Sequence, residues 1–194
     1  MMEQANRGEA KRQEIVGWAF DHFYDGGFHA TGVDKILAET GISKRTLYKY
    51  FASKEELIEA VLAHYAVWMS ERLFDRVAAS GRDPREQIIG LFDARKEMLE
   101  EYPARGCLGL KAAQEYIGKH AGIAAKGKAA ANYVEQAFIS LCVKSGFARA
   151  EALGRQINII FQGAVLLSQI RGDTKAFAAA KSAVRTLFAS ADAP

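Results

Sequence analysis

Proline is scarce in this chain, with three in 194 residues at positions 84, 103 and 194. Long helices can therefore run without the ring clash and missing N–H that end them, and past Pro103 no such break occurs before the last residue. Cysteine is scarcer still: Cys107 and Cys142 are the two present, too few to staple a chain this long. That usage fits a reducing compartment with no structural disulfide. The N-terminal run MMEQANRGEAKRQEIV has no apolar stretch suited to a signal peptide, and no apolar run approaches the length of a bilayer span. A cytoplasmic protein with no membrane partner is expected. The histidines His22, His29, His64 and His120 lie on different segments, with no HExxH, CxxC or nucleophile-elbow spacing. No catalytic residue, metal or cofactor is read from the sequence, and an enzyme is not expected.

What is present is an ordinary globular balance, 49% apolar and 25% charged, which predicts a chain folded throughout. The length allows one large domain or two small ones, and two are expected. A net charge of +3 does not by itself announce nucleic acid, because residues 1–60 hold 8 Lys/Arg against 10 Asp/Glu. The local pattern is more telling. Lys44, Arg45, Lys49 and Lys54 follow one another with no acid between them, and phosphate attraction depends on the surface shown to the duplex.

That run lies in TGVDKILAETGISKRTLYKYFASKEEL, from Thr31 to Leu57. Thr31 as N-cap with Asp34 at N3 predicts a helix carrying Val33, Ile36 and Leu37 on one face. Gly41 supplies a turn, Ile42 plugs the angle, and Ser43 caps a second helix. Its positions Leu47, Tyr50 and Phe51 face inward, leaving Lys44, Arg45, Thr46, Tyr48 and Lys49 outside. Two helices about a short glycine turn define a helix-turn-helix, whose second helix enters the major groove. Arg45 suits a guanine edge and Thr46 a base or a thymine methyl, while Lys44, Tyr48 and Lys49 suit phosphates. Ser53 and Glu56 form a capping box opening the next helix, with Lys54 beside free N–H groups that favour a phosphate.

Ile15, Ala19, Phe23, Gly27, Thr31, Val33, Ile36, Gly41, Ser43, Leu47, Tyr48, Tyr50, Phe51, Lys54 and Leu57 together resemble the N-terminal domain of the tetracycline-repressor (TetR) family. The resemblance covers the first third of the chain strongly and the rest only through an all-helical plan. It implies an all-α fold of about nine helices. Residues 1–53 would form a three-helix DNA-binding domain and 54–194 a ligand-binding and dimerisation domain, with helix 54–79 linking them. It also adds Thr31 as a phosphate contact beside its cap role, and Ser43 and Tyr50 complete the interface set. The implied function is a ligand-responsive regulator: a homodimeric repressor of a palindromic DNA operator, released by a small-molecule effector. An activator or architectural DNA-binding protein without an inducer is the alternative.

Further along, helix one is expected over residues 8–25, ended by Gly26-Gly27. Asp83, Pro84 and Glu86 open a helix that runs to Tyr102, interrupted by Arg95, which is expected to snorkel outward in preference to meeting an acidic ligand group. Residues 118–127 read as a glycine-containing connection, without the spacing of a phosphate loop. Aromatic and polar residues mix on the helices expected between Asp83 and Arg171, which gives Phe92, Met98, Tyr102, Gln114, Tyr133, Phe138, Asn158, Phe161 and Gln162 as candidate effector-lining residues. Asn158 and Gln162 stand at i and i+4 on an apolar helix, so each bonds a ligand, the other, or a partner chain. Helix 150–171 is apolar nearly all round and must be buried twice. The resemblance implies a dimer through Ile159, Gly163, Leu166 and Ile170 on that helix and Phe177, Ala180, Val184 and Phe188 on the next. Cys107 reads first as a small buried thiol; the resemblance makes it a candidate redox or electrophile sensor, with Arg105 and a nearby helix start suited to lowering its pKa.

Overall fold

The computed structural model describes residues 2–103 and 105–191. Counting the run that begins at Lys54 as one element, nine helices and no strand occur among them. They are α1 (Met2–Gly26), α2 (Val33–Thr40), α3 (Lys44–Tyr50), α4 (Lys54–Met69), α5 (Pro84–Glu101), α6 (Leu108–Tyr116), α7 (Ala121–Lys144), α8 (Ala150–Arg171) and α9 (Ala176–Ala191). α4 continues through a π-helical segment, Ser70–Asp75, into a last turn, Arg76–Ala78. None of the described helices is long and apolar enough to cross a membrane.

The chain divides into two compact units: residues 1–67 with 108–129, and residues 68–107 with 130–194. The first unit is thus larger than the three-helix head expected over 1–53. Leu57, Ile58 and Val61 on α4 are fully buried, and Tyr65 meets Tyr24 edge-on at 5.7 Å, so the start of α4 belongs to the core of this unit. Residues 108–129 join it through α6 and the first turns of α7. Residues 121–127, expected as a connection, are helical. The reason is a close approach: a Cβ at Gly127 would stand 2.6 Å from the carbonyl oxygen of Gly109 and 2.7 Å from the amide of Ala113. Gly127 serves packing and not a turn.

In the second unit the N-terminus of α5 forms as its residues dictate. Asp83 accepts the N–H groups of Arg85 (3.0 Å) and Glu86 (3.2 Å), and Pro84 occupies the first turn, where no donor is needed. Arg95 does not snorkel. It is buried, and its Nη2 donates to the carbonyls of Arg105 (3.0 Å) and Gly106 (2.7 Å), tying the loop after α5 to the helix. Carbonyls left bare by that glycine-containing loop make the interior the better place for the guanidinium.

Phe92, Phe138, Phe161 and Phe177 form the centre of this unit. Phe161 lies edge-on to Phe92 at 5.1 Å and to Phe138 at 5.2 Å, and Phe177 lies 6.5 Å from Phe92. Lys181 on α9 is ion-paired to Asp93 on α5.

Candidate nucleic-acid interface

α2 and α3 meet about Gly41, whose φ of +66° lies in the left-handed region that a residue without Cβ adopts freely. The helix before it does not start as its sequence suggests. Gly32, not Thr31, is the N-cap of α2, and no side chain caps it. Thr31 is fully buried and its hydroxyl donates to the carbonyl of His22 in α1 at 3.2 Å. A bond to α1 therefore displaces the local cap, and the hydroxyl is withdrawn from any phosphate in this conformation.

α3 follows its sequence closely. The Ser43 hydroxyl accepts the N–H of Thr46 at 3.0 Å and lies 2.9 Å from the Thr46 hydroxyl. Leu47 and Phe51 are fully buried and fix the helix to its unit, and the Arg12 guanidinium lies 4.7 Å over the Phe51 ring. With that face anchored, Lys44, Arg45, Tyr48 and Lys49 are left exposed, while Thr46 and Tyr50 are half-buried. Tyr50 was expected inside, but it sits at the rim with the Lys49 ammonium 5.7 Å from its ring.

Two of the basic groups are already engaged. Lys44 Nζ lies 3.0 and 3.1 Å from the two carboxylate oxygens of Asp34 on α2, and the hydrogen bond with Asp34, followed by its charge, raises the Lys44 pKa. Lys54 is half-buried and stands 5.9 Å over the Phe23 ring. The cap beside it is formed by Ser53, whose hydroxyl accepts the N–H of Glu56 at 3.1 Å, and the Glu56 carboxylate reaches back to the amide of Ala52 at 2.6 Å.

A connection absent from the sequence reading joins α6 to the corner before α2. The Glu115 carboxylate accepts the N–H of Phe28 (3.2 Å) and of His29 (2.8 Å), and Lys111 Nζ donates to the carbonyl of Tyr24 at 2.8 Å. The His29 ring stacks on Tyr116 at 4.7 Å. Burial pushes the Tyr116 phenol up to about 12, with the Glu55 and Glu115 charges adding to it, and burial lowers the Lys111 pKa. These partners are 86 and 87 residues apart, so no local spacing announces them.

The nine residues expected to line an effector pocket do not converge. Phe92, Phe138 and Phe161 fill the core against one another, and Met98 is buried on α5. Tyr102 caps the end of α5 beneath the Arg105 guanidinium at 4.6 Å, Tyr133 is exposed with Phe74 at 5.0 Å, and Gln114 is exposed in the other unit. Asn158 donates to Glu135 at 3.3 Å and not to Gln162, which is half-buried. The aromatic residues read as pocket walls are a solid cluster because they are large enough to close the space between α5, α7 and α8.

The dimer set divides as well. On α8, Ile159, Leu166 and Ile170 are exposed, with half-buried Gly163 between them. On α9, Phe177, Ala180 and Val184 are buried within their own unit, and Phe188 stacks on Phe147 at 5.2 Å. The one apolar stripe of α9 is the stripe that holds it to its unit, so those three residues cannot also face a second chain. Cys107 is half-buried, Cys142 is buried with its thiol pushed up to about 11 by burial, and no disulfide joins them.

A capped second helix with a buried anchor and an exposed cationic face, followed by an all-helical unit, defines a helix-turn-helix regulator. The TetR_N model (bacterial regulatory proteins, tetR family) matches residues 15–61. The HTH-type transcriptional regulator YxaF of Bacillus subtilis is 31% identical over 179 residues, covering 87% of this chain and 89% of that protein. The HTH-type transcriptional repressor KstR2 of Mycolicibacterium smegmatis is 33% identical over 96 residues, and the match spans 50% of this chain and less than half (46%) of KstR2. A crystal structure of a TetR-family regulator from Streptomyces coelicolor aligns with a TM-score of 0.85 at 22% identity, over 94% of this chain and 96% of that one. The chain belongs to the TetR family of bacterial regulatory proteins.

Proposed function

We propose that this chain is a homodimeric transcriptional repressor that holds a near-palindromic DNA operator through α3 and lets go when a small-molecule effector binds its second unit. The observation that carries this reading is the geometry of α3: Leu47 and Phe51 buried, Ser43 capping, and Arg45, Tyr48 and Lys49 presented together to solvent. Arg45, near the helix start, is suited to bidentate bonding with a guanine edge. Tyr48 and Lys49, with Lys44 once released from Asp34, are suited to phosphates. Repression, in preference to activation, is supported by the name of KstR2 as a repressor.

A single seven-residue helix reads few base pairs, and a two-fold dimer doubles the site by setting two such helices about 34–36 Å apart. The exposed stripe Ile159, Leu166 and Ile170 supports that assembly, since residues recurring along one face of α8 leave apolar surface in water until a second copy covers it. The bonds from α6 to the corner before α2 give an effector a mechanical route to α3, because α6 follows directly on the loop held by Arg95. The test is sedimentation of the protein with a duplex obtained by selection. Two chains per duplex, with affinity falling steeply as salt rises, is the expected result. One chain per duplex, or salt-independent binding, contradicts it.

A further inference from the structure

We propose that a cleft of about 300 Å³ between the C-terminal ends of α5 and α8 is a small-molecule site, and that it takes an amine with an apolar body. The assignment rests on the reading of the chain as an effector-responsive regulator only for its consequence on DNA; the site itself is argued from its own chemistry.

Leu99, Pro103 and Gly172 give the cleft an apolar surface. Glu100 and Asp173 give it two carboxylates, and none of its lining residues is basic. Ser168 also lines it, 3% exposed, and the Ser168 hydroxyl is one of two buried side-chain polar atoms that lack a partner among the described residues. A buried hydroxyl is ordinarily bonded, so an orphaned one on the wall of a cleft is a group waiting for a ligand atom. The fourth polar residue, Thr174, donates its hydroxyl to Glu100 at 3.0 Å and holds that carboxylate in place. Lys96 (3.2 Å from Glu100) and Lys175 (3.8 Å from Asp173) are surface side chains that an ammonium can replace.

The site survives dimerisation. At 3.6 residues per turn, Ser168 lies about half a turn around α8 from the stripe of Ile159, Leu166 and Ile170. It is also well placed to act on the loop that follows α5. Arg95, one turn before Leu99, bonds the carbonyls of Arg105 and Gly106, and the Gln169 side chain next to Ser168 fills the space that a Cβ at Gly106 would need. A ligand between Leu99, Pro103 and Ser168 therefore presses on the segment that leads into α6.

The test is titration of the full-length protein, alone and bound to a selected duplex, with 2-phenylethylamine, hexylamine and cyclohexylmethylamine, using 3-phenylpropanoate as the charge control. Calorimetry and amide NMR shifts are the readouts. At least one amine is expected to saturate with shifts centred on residues 99–103 and 168–174, and the carboxylate is expected not to bind. Ser168→Ala and Glu100→Gln should each weaken the amine roughly tenfold, the loss of one charge-assisted hydrogen bond. Ser168→Ala should melt no lower than the parent, because it removes an unbonded hydroxyl, and so its loss of binding is not a loss of fold. No saturation by any of the three amines, equal binding by the carboxylate, or affinity unchanged in both variants overturns the site. Amine binding that leaves the duplex bound keeps the site and overturns effector-driven release.

Discussion

Glu115 takes two contacts from His29: its carboxylate accepts the His29 backbone N–H at 2.8 Å, and its carbonyl oxygen lies 3.1 Å from the His29 ring Nε2, which donates to it as the Nε2–H tautomer. Leu108, Ala112 and Tyr116 bury α6 in the first unit, and the Glu115 carboxylate ties the corner before α2 to it. Glu115→Ala leaves the amides of Phe28 and His29 without their acceptor, and should cost about 1–3 kcal/mol of stability. Hydrogen exchange measures this directly, with faster exchange at both amides expected and unchanged protection contradicting the role assigned to Glu115.

Asp34 holds the Lys44 ammonium that the proposed DNA complex would use on a phosphate. Asp34→Asn removes a carboxylate from the surface shown to the duplex and frees the ammonium, so affinity should rise and the salt dependence should steepen by about one phosphate contact. Binding measured across a salt series tests this. An unchanged slope places Lys44 away from the backbone.

The two apolar stripes of α8 and α9 predict opposite outcomes. Ile170→Glu places a charge on the exposed face of α8 and should yield a folded monomer that binds its operator far more weakly. Phe177→Ala empties the aromatic core and should cost about 3–5 kcal/mol of stability, without a specific effect on assembly. Sedimentation and thermal melting separate the two, and a dimeric Ile170→Glu protein would contradict the interface.

Tyr116 gives stability an alkaline limit. Its folded pKa of about 12 lies above the ordinary 10.0, so the folded state keeps a proton that the unfolded state has lost in that interval. Its contribution is whole below pH 10 and is lost as pH rises towards 12. Lys111, with a lowered pKa, opposes this by losing its proton earlier when folded. Tyr116→Phe should flatten the decline in stability above pH 10, and an identical decline in both proteins would contradict it.

Elements whose signals are local were legible in the sequence. Ser43 and Asp83 cap helices because each side chain meets N–H groups two or three residues ahead, and the i, i+4 spacing of Leu47 and Phe51 determines which face of α3 is anchored. Thr31 shows where locality fails: its cap is replaced by a bond to His22 in another helix. Gly127 reads as a breaker until its neighbours Gly109 and Ala113 are known. The phenylalanines at 92, 138 and 161 mark an aromatic meeting point, but periodicity does not say whether such a point is hollow or filled. In the same way an apolar stripe shows that a face must be covered and leaves open by what, which is why α9 reads as an interface while serving as core. The bonds of Glu115 depend on distant partners, the orphaned Ser168 hydroxyl on how its neighbours pack, and neither leaves a mark in spacing.

Selection from a randomised duplex library at two salt concentrations, run in parallel with the parent and Arg45→Ala proteins, tests the central claim most directly. The parent is expected to recover an inverted repeat with half-sites about one helical turn apart or a multiple of it, and Arg45→Ala should lose preference at one position in each half. Retention without a motif, or no retention at low salt, contradicts a dimeric operator-binding regulator.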